Sequence, residues 1–409
     1  MIAATRICDN KNLRPLRILI LNYEFPPLGG GAGNATAGLV RALEGVPDLE
    51  VAVVASSLDD FRVERQELSC NSTIYRLPIG KKGRNIHFQS NAELLRYSFE
   101  CYRFLRKLLA KESFDACHAV MTVPGGINAW LIRRKVPYLV SLQGSDVPGY
   151  SARFKLLYTV LTPIIHRIWK DSKGVISNSE VLRELAWQSA PDQPVDVIPN
   201  GVDRDRFFPD DGLPTTPEKL RIICVGRLIE RKGVWELLEA MPKVLAKVPN
   251  AHLDLAGSGD LKQALADRIS SMGLSDAVTL HGAVPQEELP VLLRQASLFA
   301  LPSHAEGMSN ALLEGIACGL PVVVTDTGGT KELLDGNGLL IFMKDPDSLA
   351  DAMIEILSDE SKRAAMRKAS LKVADRYSWE ALGASYLEMY KAISPSQGAR
   401  GPASIQSQT

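Results

Sequence analysis

Two glutamates eight positions apart, Glu306 and Glu314, lie in the stretch of this chain best furnished to hold a charged, hydroxyl-rich ligand: LFALPSHAEGMSNALLEGIACGLPVVVTDTGG, residues 298–329. The pattern predicts a short buried strand at 298–301, a polar loop, a helix opening near Ser309 and a second apolar strand at 321–325, together a β-α-β unit. Ser309 can cap the helix, Gly307 lets backbone approach a ligand, and the free N–H groups of the first turn carry a partial positive charge that suits phosphate. Glu306 precedes the helix and Glu314 lies more than a turn inside it, so at ~1.5 Å rise per residue they stand about 10 Å apart. A diphosphate between two sugars has that span, and carboxylates accept hydrogen bonds from sugar hydroxyls.

A second set of residues supplies positive charge. In LRIICVGRLIERKGVWELLEAMPKVL a buried strand delivers Arg227 at its end, and Lys232 follows five residues later beside the start of an amphipathic helix. Two cations at a strand end next to a helix N-terminus make a phosphate clamp. HLDLAGSGD adds a strand and a turn whose Gly257 and Gly259 would pass close to a nucleotide. Asp203-x-Asp205 and Asp345-x-Asp347 offer superficial metal pairs, but neither falls at a strand end in the expected cleft, and the second reads as a helix N-cap with an acidic first turn. No metal site is expected.

Glu-x7-Glu in this setting resembles the signature of retaining GT-B glycosyltransferases of family 4, also described as glycosyl transferases group 1. IPNGVD (198–203), VGRLIERKG (225–233), AGSGD (256–260) and GGTKELL (328–334) accompany it in the family's order. A bare pair of glutamates at this spacing would say little; five ordered motifs say much more. The resemblance implies catalytic roles for Arg227, Lys232, Glu306 and His118. It implies donor binding by Glu314, by Gly307, Met308 and Ser309, by Gly257 and Gly259, and by His281, Gly282, Ala283 and Val284, the segment near which relatives hold the base. Gly30, Gly31, Asp146 and Asn200 would then belong to the donor or acceptor cleft.

The elements that must position these groups fit a large soluble α/β protein. The chain has 409 residues, 45% hydrophobic and 23% charged, with a formal net charge of zero, which is the composition of a soluble globular protein rather than a nucleic-acid binder or a disordered scaffold. Residues 1–200 carry 25 Lys/Arg against 19 Asp/Glu, a net of +6, so the remainder carries −6. Six cysteines lack C-x-x-C spacing, which reads as a reduced cytoplasm, and no signal peptide or membrane span is expected.

In the N-terminal half, RILILNY is a buried strand, glycines 29, 30, 31 and 33 open a helix running to about Leu43, and EVAVVAS is the next strand. A dinucleotide fingerprint fails on spacing: Asn34 or Thr36 stands where the third glycine belongs, and no acid follows the second strand. Residues 93–112 predict an amphipathic helix with Leu94, Leu95, Phe99, Tyr102, Leu105 and Leu109 inward and a basic face outward. FDACHAV places His118 at a strand end, as the family's donor-sugar histidine is placed. YLVSLQGSDVPG resembles the family's H-G-x-D segment with Gln143 in the histidine's place, so no acid-base role carries over to 143 and Asp146 is the polar group that remains. Asn200-Gly201 marks a hinge.

The expected fold is therefore α/β, GT-B, two Rossmann-like doubly wound domains facing across a cleft. The boundaries expected are a leader at 1–14, an acceptor-side domain at 15–205, a donor domain at 206–375, a helix at 376–394 crossing back to the first domain, and a disordered tail at 395–409. The implied activity is transfer of a sugar, with retained configuration and without metal or cofactor, from a UDP-, GDP- or similar nucleotide-sugar to an acceptor glycan, glycolipid or small molecule. A GT-B nucleotide-sugar epimerase and a non-catalytic nucleotide-binding module are the rival readings. The basic N-terminal half points to a peripheral contact with an anionic membrane at the cytoplasmic face.

Overall fold

The computed structural model describes residues 14–58, 62–80, 89–150, 155–210 and 218–395. The expected leader, apart from residue 14, and the expected tail, apart from residue 395, lie outside the described residues.

Eight strands form the first sheet: β1 (Leu16–Leu21), β2 (Leu49–Ser57), β3 (Glu64–Glu67), β4 (Ser72–Pro78), β5 (Ala116–Val120), β6 (Tyr138–Leu142), β7 (Gly174–Ser177) and β8 (Asp196–Val197), in the order β3-β4-β2-β1-β5-β6-β7-β8. Pairing is parallel through β4, β2, β1, β5 and β6 and between β7 and β8, whereas β3 runs antiparallel against β4. Ile18, Leu19, Ile20 and Leu21 are fully buried, as a strand covered on both faces requires. The helices here are α1 (Gly31–Ala42), α2 (Asn91–Leu108), α3 (Ile127–Ile132), α4 (Lys155–Asp171) and α5 (Glu180–Ser189).

The second sheet is wholly parallel, with β9 (Leu220–Val225), β10 (Ala251–Ala256), β11 (Val278–Gly282), β12 (Leu298–Leu301), β13 (Val322–Thr325) and β14 (Gly338–Ile341) ordered β11-β10-β9-β12-β13-β14. Counted from β9 this is the doubly wound 3-2-1-4-5-6 order, whose reversal point lies between β9 and β12 and leaves a crevice beyond their carboxyl ends. Both strands deliver their following loops there. The helices are α6 (Val234–Lys247), α7 (Lys262–Ser271), α8 (Leu289–Gln295), α9 (Asn310–Ala317), α10 (Pro346–Leu357), α11 (Glu360–Arg376) and α12 (Trp379–Ile393). Two compact units result, one of residues 1–141, 159–175 and 383–409, the other of residues 142–158 and 176–382. α12 therefore ends in the first unit.

Two expectations need correction. The hairpin β3–β4 was not expected, because ERQE in β3 is polar and lies on an exposed edge, where strands carry no hydrophobic alternation. The helix expected at 93–112 is α2, opened by a capping box in which Ser90 and Glu93 satisfy each other's backbone N–H, and its buried stripe is Tyr97, Cys101, Leu105 and Leu108. Leu95 and Phe99 point outward, 72% and 60% exposed. Tyr97 can take the inner place because its hydroxyl donates to the Val54 carbonyl at 2.9 Å, so burial leaves no polar group unpaired.

This register predicts that Leu105→Ala costs about 2–5 kcal/mol of stability, while Phe99→Ser stays within about 0.5 kcal/mol of the parent. Denaturant midpoints of the two variants check it, and a Phe99→Ser loss as large as that of Leu105→Ala would restore the face expected from periodicity.

Candidate active site

β12 ends at Leu301 and its loop runs to Ser309, whose Oγ accepts from the Leu312 N–H at 3.4 Å and caps α9. In that loop Glu306 Oε1 accepts two bonds, from Lys232 Nζ at 2.5 Å and from Ser303 Oγ at 2.8 Å. The Lys232 and Glu306 side chains are only 13% and 9% exposed. Burial alone would raise the Glu306 carboxyl, but Lys232, Ser303 and Arg231 outweigh it, and the net shift is downward. The carboxylate is held ionised.

Lys232 reaches Glu306 because the turn that carries it presses on the loop that carries Glu306. A 3₁₀ turn at Glu230–Lys232 passes into α6 through Gly233, at φ +66, and a Cβ there would come within 2.0 Å of the Pro302 carbonyl oxygen. No side chain fits. Gly257 and Gly259 are explained similarly: a Cβ would meet Gly226 O at 1.8 Å or Leu228 O at 2.3 Å, so the turn after β10 can lie against the backbone on either side of Arg227. Arg227 itself is exposed.

Glu314 lies in α9, buried, with Gln286 Nε2 donating to its Oε1 at 3.0 Å. Burial pushes its carboxyl up to about 7, with Gln286 and Arg206 pulling against that rise. The two glutamates of one motif thus have opposite electrostatics. Met308 is buried in the core of this unit, so only its backbone can meet a ligand, and Asn200 donates to Asn310 Oδ1 at 2.9 Å at the start of α9. His281 closes β11 with Nε2 2.7 Å from Asp254 Oδ1, and Asp254 is also gripped by Arg221. His281 is thereby engaged on its own sheet, followed by Gly282, exposed Ala283 and half-buried Val284.

Residues 142–158 belong to this same unit. Asp146 Oδ1 accepts from the Gln143 and Gly144 N–H groups at 2.9 and 3.1 Å, so it organises its own loop. Tyr150 bonds with Arg231 and accepts from the Gly307 N–H; burial and Glu306 raise its phenol. Asn178, 3% exposed, donates to Gln143 Oε1 at 3.4 Å.

In the first unit, Gly30 caps α1 and its N–H donates to Glu24 Oε2 at 2.9 Å, with Gly31 opening the helix. His118 is a correction. It lies within β5, 1% exposed, with Nδ1 2.7 Å from the Tyr390 hydroxyl, Nε2 2.5 Å from Ser141 Oγ, and the Tyr386 ring stacked on it. Burial drives its pKa down to about 3. Both ring nitrogens are taken, so it is a structural histidine and leaves the set of candidate catalytic residues.

Sequence reasoning missed Ser303, Arg231, Gln286 and Tyr150. Ser303 stands three residues before Glu306 and Arg231 next to Lys232, spacings that were visible; Gln286 and Tyr150 reach the site only through the fold.

Residues 204–373 match the family described as Glycosyl transferases group 1, and residues 30–201 match the Glycosyl transferase 4-like domain. The chain is 29% identical over 402 residues to an uncharacterized glycosyltransferase of Methanocaldococcus jannaschii, covering 92% of this chain and 98% of that protein. It is 31% identical over 262 residues to a GDP-mannose-dependent alpha-(1-6)-phosphatidylinositol monomannoside mannosyltransferase of Mycolicibacterium smegmatis, covering 59% and 68%. Sucrose-phosphate synthase from Thermosynechococcus elongatus has the same fold at a TM-score of 0.77 and 20% identity, over 92% of this chain and 99% of that one.

Two predictions follow from the electrostatics. Lys232→Ala strands a buried carboxylate and should cost about 3–5 kcal/mol, part of it recovered in the Lys232→Ala/Glu306→Ala double variant; denaturant titration of the cycle reads this, and additive losses would deny the pairing. Glu314, raised from 4.5 to about 7, contributes stability that is complete below the ordinary pKa and is lost as pH rises to about 7. Glu314→Gln should therefore gain on the parent between pH 5 and pH 8 by up to about 3 kcal/mol, seen as a widening difference in Tm; a constant difference would mean the carboxyl titrates normally.

Proposed function

The chain belongs to the glycosyl transferases group 1 and is a glycosyltransferase of the GT-B type, and from that premise we propose that it transfers a sugar from a nucleoside-diphosphate donor to an acceptor hydroxyl with retained anomeric configuration. The observation that carries this reading is the buried Lys232–Glu306 pair beside the capped start of α9, at the reversal point of the second sheet. Cations and helix N–H groups together suit a diphosphate, and the flanking carboxylates suit sugar hydroxyls.

In the proposed assignment Glu314 takes the ribose, Arg227 and Lys232 take the diphosphate with the N-terminus of α9 near Ser309, and Glu306 with the backbone of Gly307 and Met308 takes the transferred sugar. The turn of Gly257 and Gly259 and the segment 281–284 flank the nucleotide. As the bond to the anomeric carbon breaks, negative charge builds on the diphosphate, so fixed cations stabilise the transition state more than the ground state. Retention is commonly achieved through a covalent intermediate on a carboxylate. Here Glu306 Oε1 is already occupied by Lys232 and Ser303, which favours a role in orienting the sugar over attack on it. The leaving phosphate would then take the proton of an acceptor attacking from the same face.

The proposed acceptor is a glycan, a glycolipid or a small molecule. A lipid-borne acceptor is favoured by the outward face of α2, where Leu95 and Phe99 are exposed among Arg96, Arg103 and Lys107. A relative named for a phosphatidylinositol mannoside agrees with this. The protein would then work peripherally on an anionic membrane at its cytoplasmic face. No helix among the described residues is long and apolar enough to cross a membrane.

The function is tested by incubating the protein with UDP- and GDP-sugars in chelator, with and without acceptors, and following free nucleoside diphosphate; an altered sugar still attached to nucleotide would indicate an epimerase instead. With a donor in hand, Arg227→Ala should lose on the order of 10² to 10³ in kcat, by analogy with removing one preorganised oxyanion donor. Donor KM should move less, and near-normal kcat would remove Arg227 from the clamp. Calorimetry with bare nucleoside diphosphate should show weakened binding in Glu314→Ala and near-parental binding in Glu306→Ala; equal losses would contradict the division of labour.

A further inference from the structure

We propose that Gln286 is a positioning residue for the nucleotide: its amide holds one oxygen of Glu314 and so turns the other toward the ribose. This deepens the donor assignment above and rests on it. Gln286 lies just past the segment 281–284 and ahead of α8, and its Nε2 donates to Glu314 Oε1 at 3.0 Å while Glu314 is 9% exposed. A carboxylate in so dry a place can rotate about its last bond unless something holds it, because terminal sp² torsions are broad. A ribose diol offers two O–H donors, which a fixed, ionised oxygen accepts best.

The amide also governs charge. Burial raises the Glu314 carboxyl to about 7, and Gln286 opposes that rise by donating to the charged form. The charged group that faces Glu314 is Arg206, from the segment after β8; one turn along α9, Cys318 faces Arg294 of α8 and Arg367 of α11. Removing the Gln286 donor leaves Arg206 alone to keep the carboxylate ionised. The apparent pKa must then climb, and at neutral pH less of the protein can grip a ribose.

The test is calorimetry of UDP and GDP, and of their 2′,3′-dideoxy forms, between pH 5.5 and 8.5, on the parent, Gln286→Met and Gln286→Asn. Methionine keeps the length and apolar volume without the donor, whereas asparagine keeps an amide, and Tm of each variant confirms folding. For the parent, affinity for the better ribonucleotide should fall as pH drops through about 7. In Gln286→Met the midpoint of that fall should move up by about one unit, with roughly fivefold weaker binding at pH 7 as the ionised fraction drops, and the preference for ribo- over dideoxynucleotide should shrink several-fold. Gln286→Asn should lie between the two. A role confined to tethering the loop would lower Tm and leave the pH midpoint and the ribo/dideoxy ratio at parental values, which overturns the proposal. A parent that binds neither nucleotide at any pH overturns the donor assignment and this role with it, so the two failures are distinguishable.

Discussion

A lysine and a glutamate held at 2.5 Å, each about nine-tenths buried, are expensive to desolvate, and a pair of apolar residues of similar volume would often be no less stable. What such a pair provides is a charge balance that a ligand can shift. On the proposed assignment a diphosphate would bring negative charge to Lys232, and Glu306 would then share its cation or find hydrogen-bond donors elsewhere, of which a sugar hydroxyl is one. On that assignment binding would exchange one set of charge-assisted bonds for another.

That exchange depends on the frame. β9 and β12 are neighbours at the reversal of the second sheet, so the turn after one and the loop after the other emerge side by side. Gly233 lets the two backbones touch, Ser309 fixes where α9 begins, and Phe299 of β12 packs so closely on Gly315 that a Cβ there would come within 2.6 Å of the ring. Glu306 and Glu314 are thereby kept on a single rigid junction. Their opposite electrostatics follow from what each is buried against: a lysine for Glu306, an amide and a more distant arginine for Glu314.

Much of this was legible in the sequence because it is local. The strand, capped helix and strand around Glu306, the cationic turn at 227–232 and the doubly wound alternation all follow from short-range pattern, capping chemistry and buried parallel strands. His118 misled because a histidine near a strand end looks the same whether it faces a ligand or a core; its partner Tyr390 is 272 residues away and invisible to local reasoning. In α2 two apolar stripes competed, and the one containing Tyr97 and Cys101 won because the phenol found a backbone carbonyl and the thiol packs as a small apolar group. β3 escaped notice because an exposed edge strand is polar by nature. Gln286 could not be found from spacing, since its significance lies in one hydrogen bond to a helix 28 residues on.

The central claim is that Glu306 is an ionised partner of Lys232 whose charge balance a diphosphate disturbs. Carbon-13 NMR titration of the glutamate carboxyls, with the Glu306 resonance assigned by its loss in Glu306→Gln, measures this with and without a saturating nucleoside diphosphate. The account predicts a pKa below the ordinary 4.5 in the free protein, moving upward when nucleotide draws Lys232 toward its phosphates. A free-protein value at or above 4.5, or one that nucleotide leaves unmoved, would contradict it.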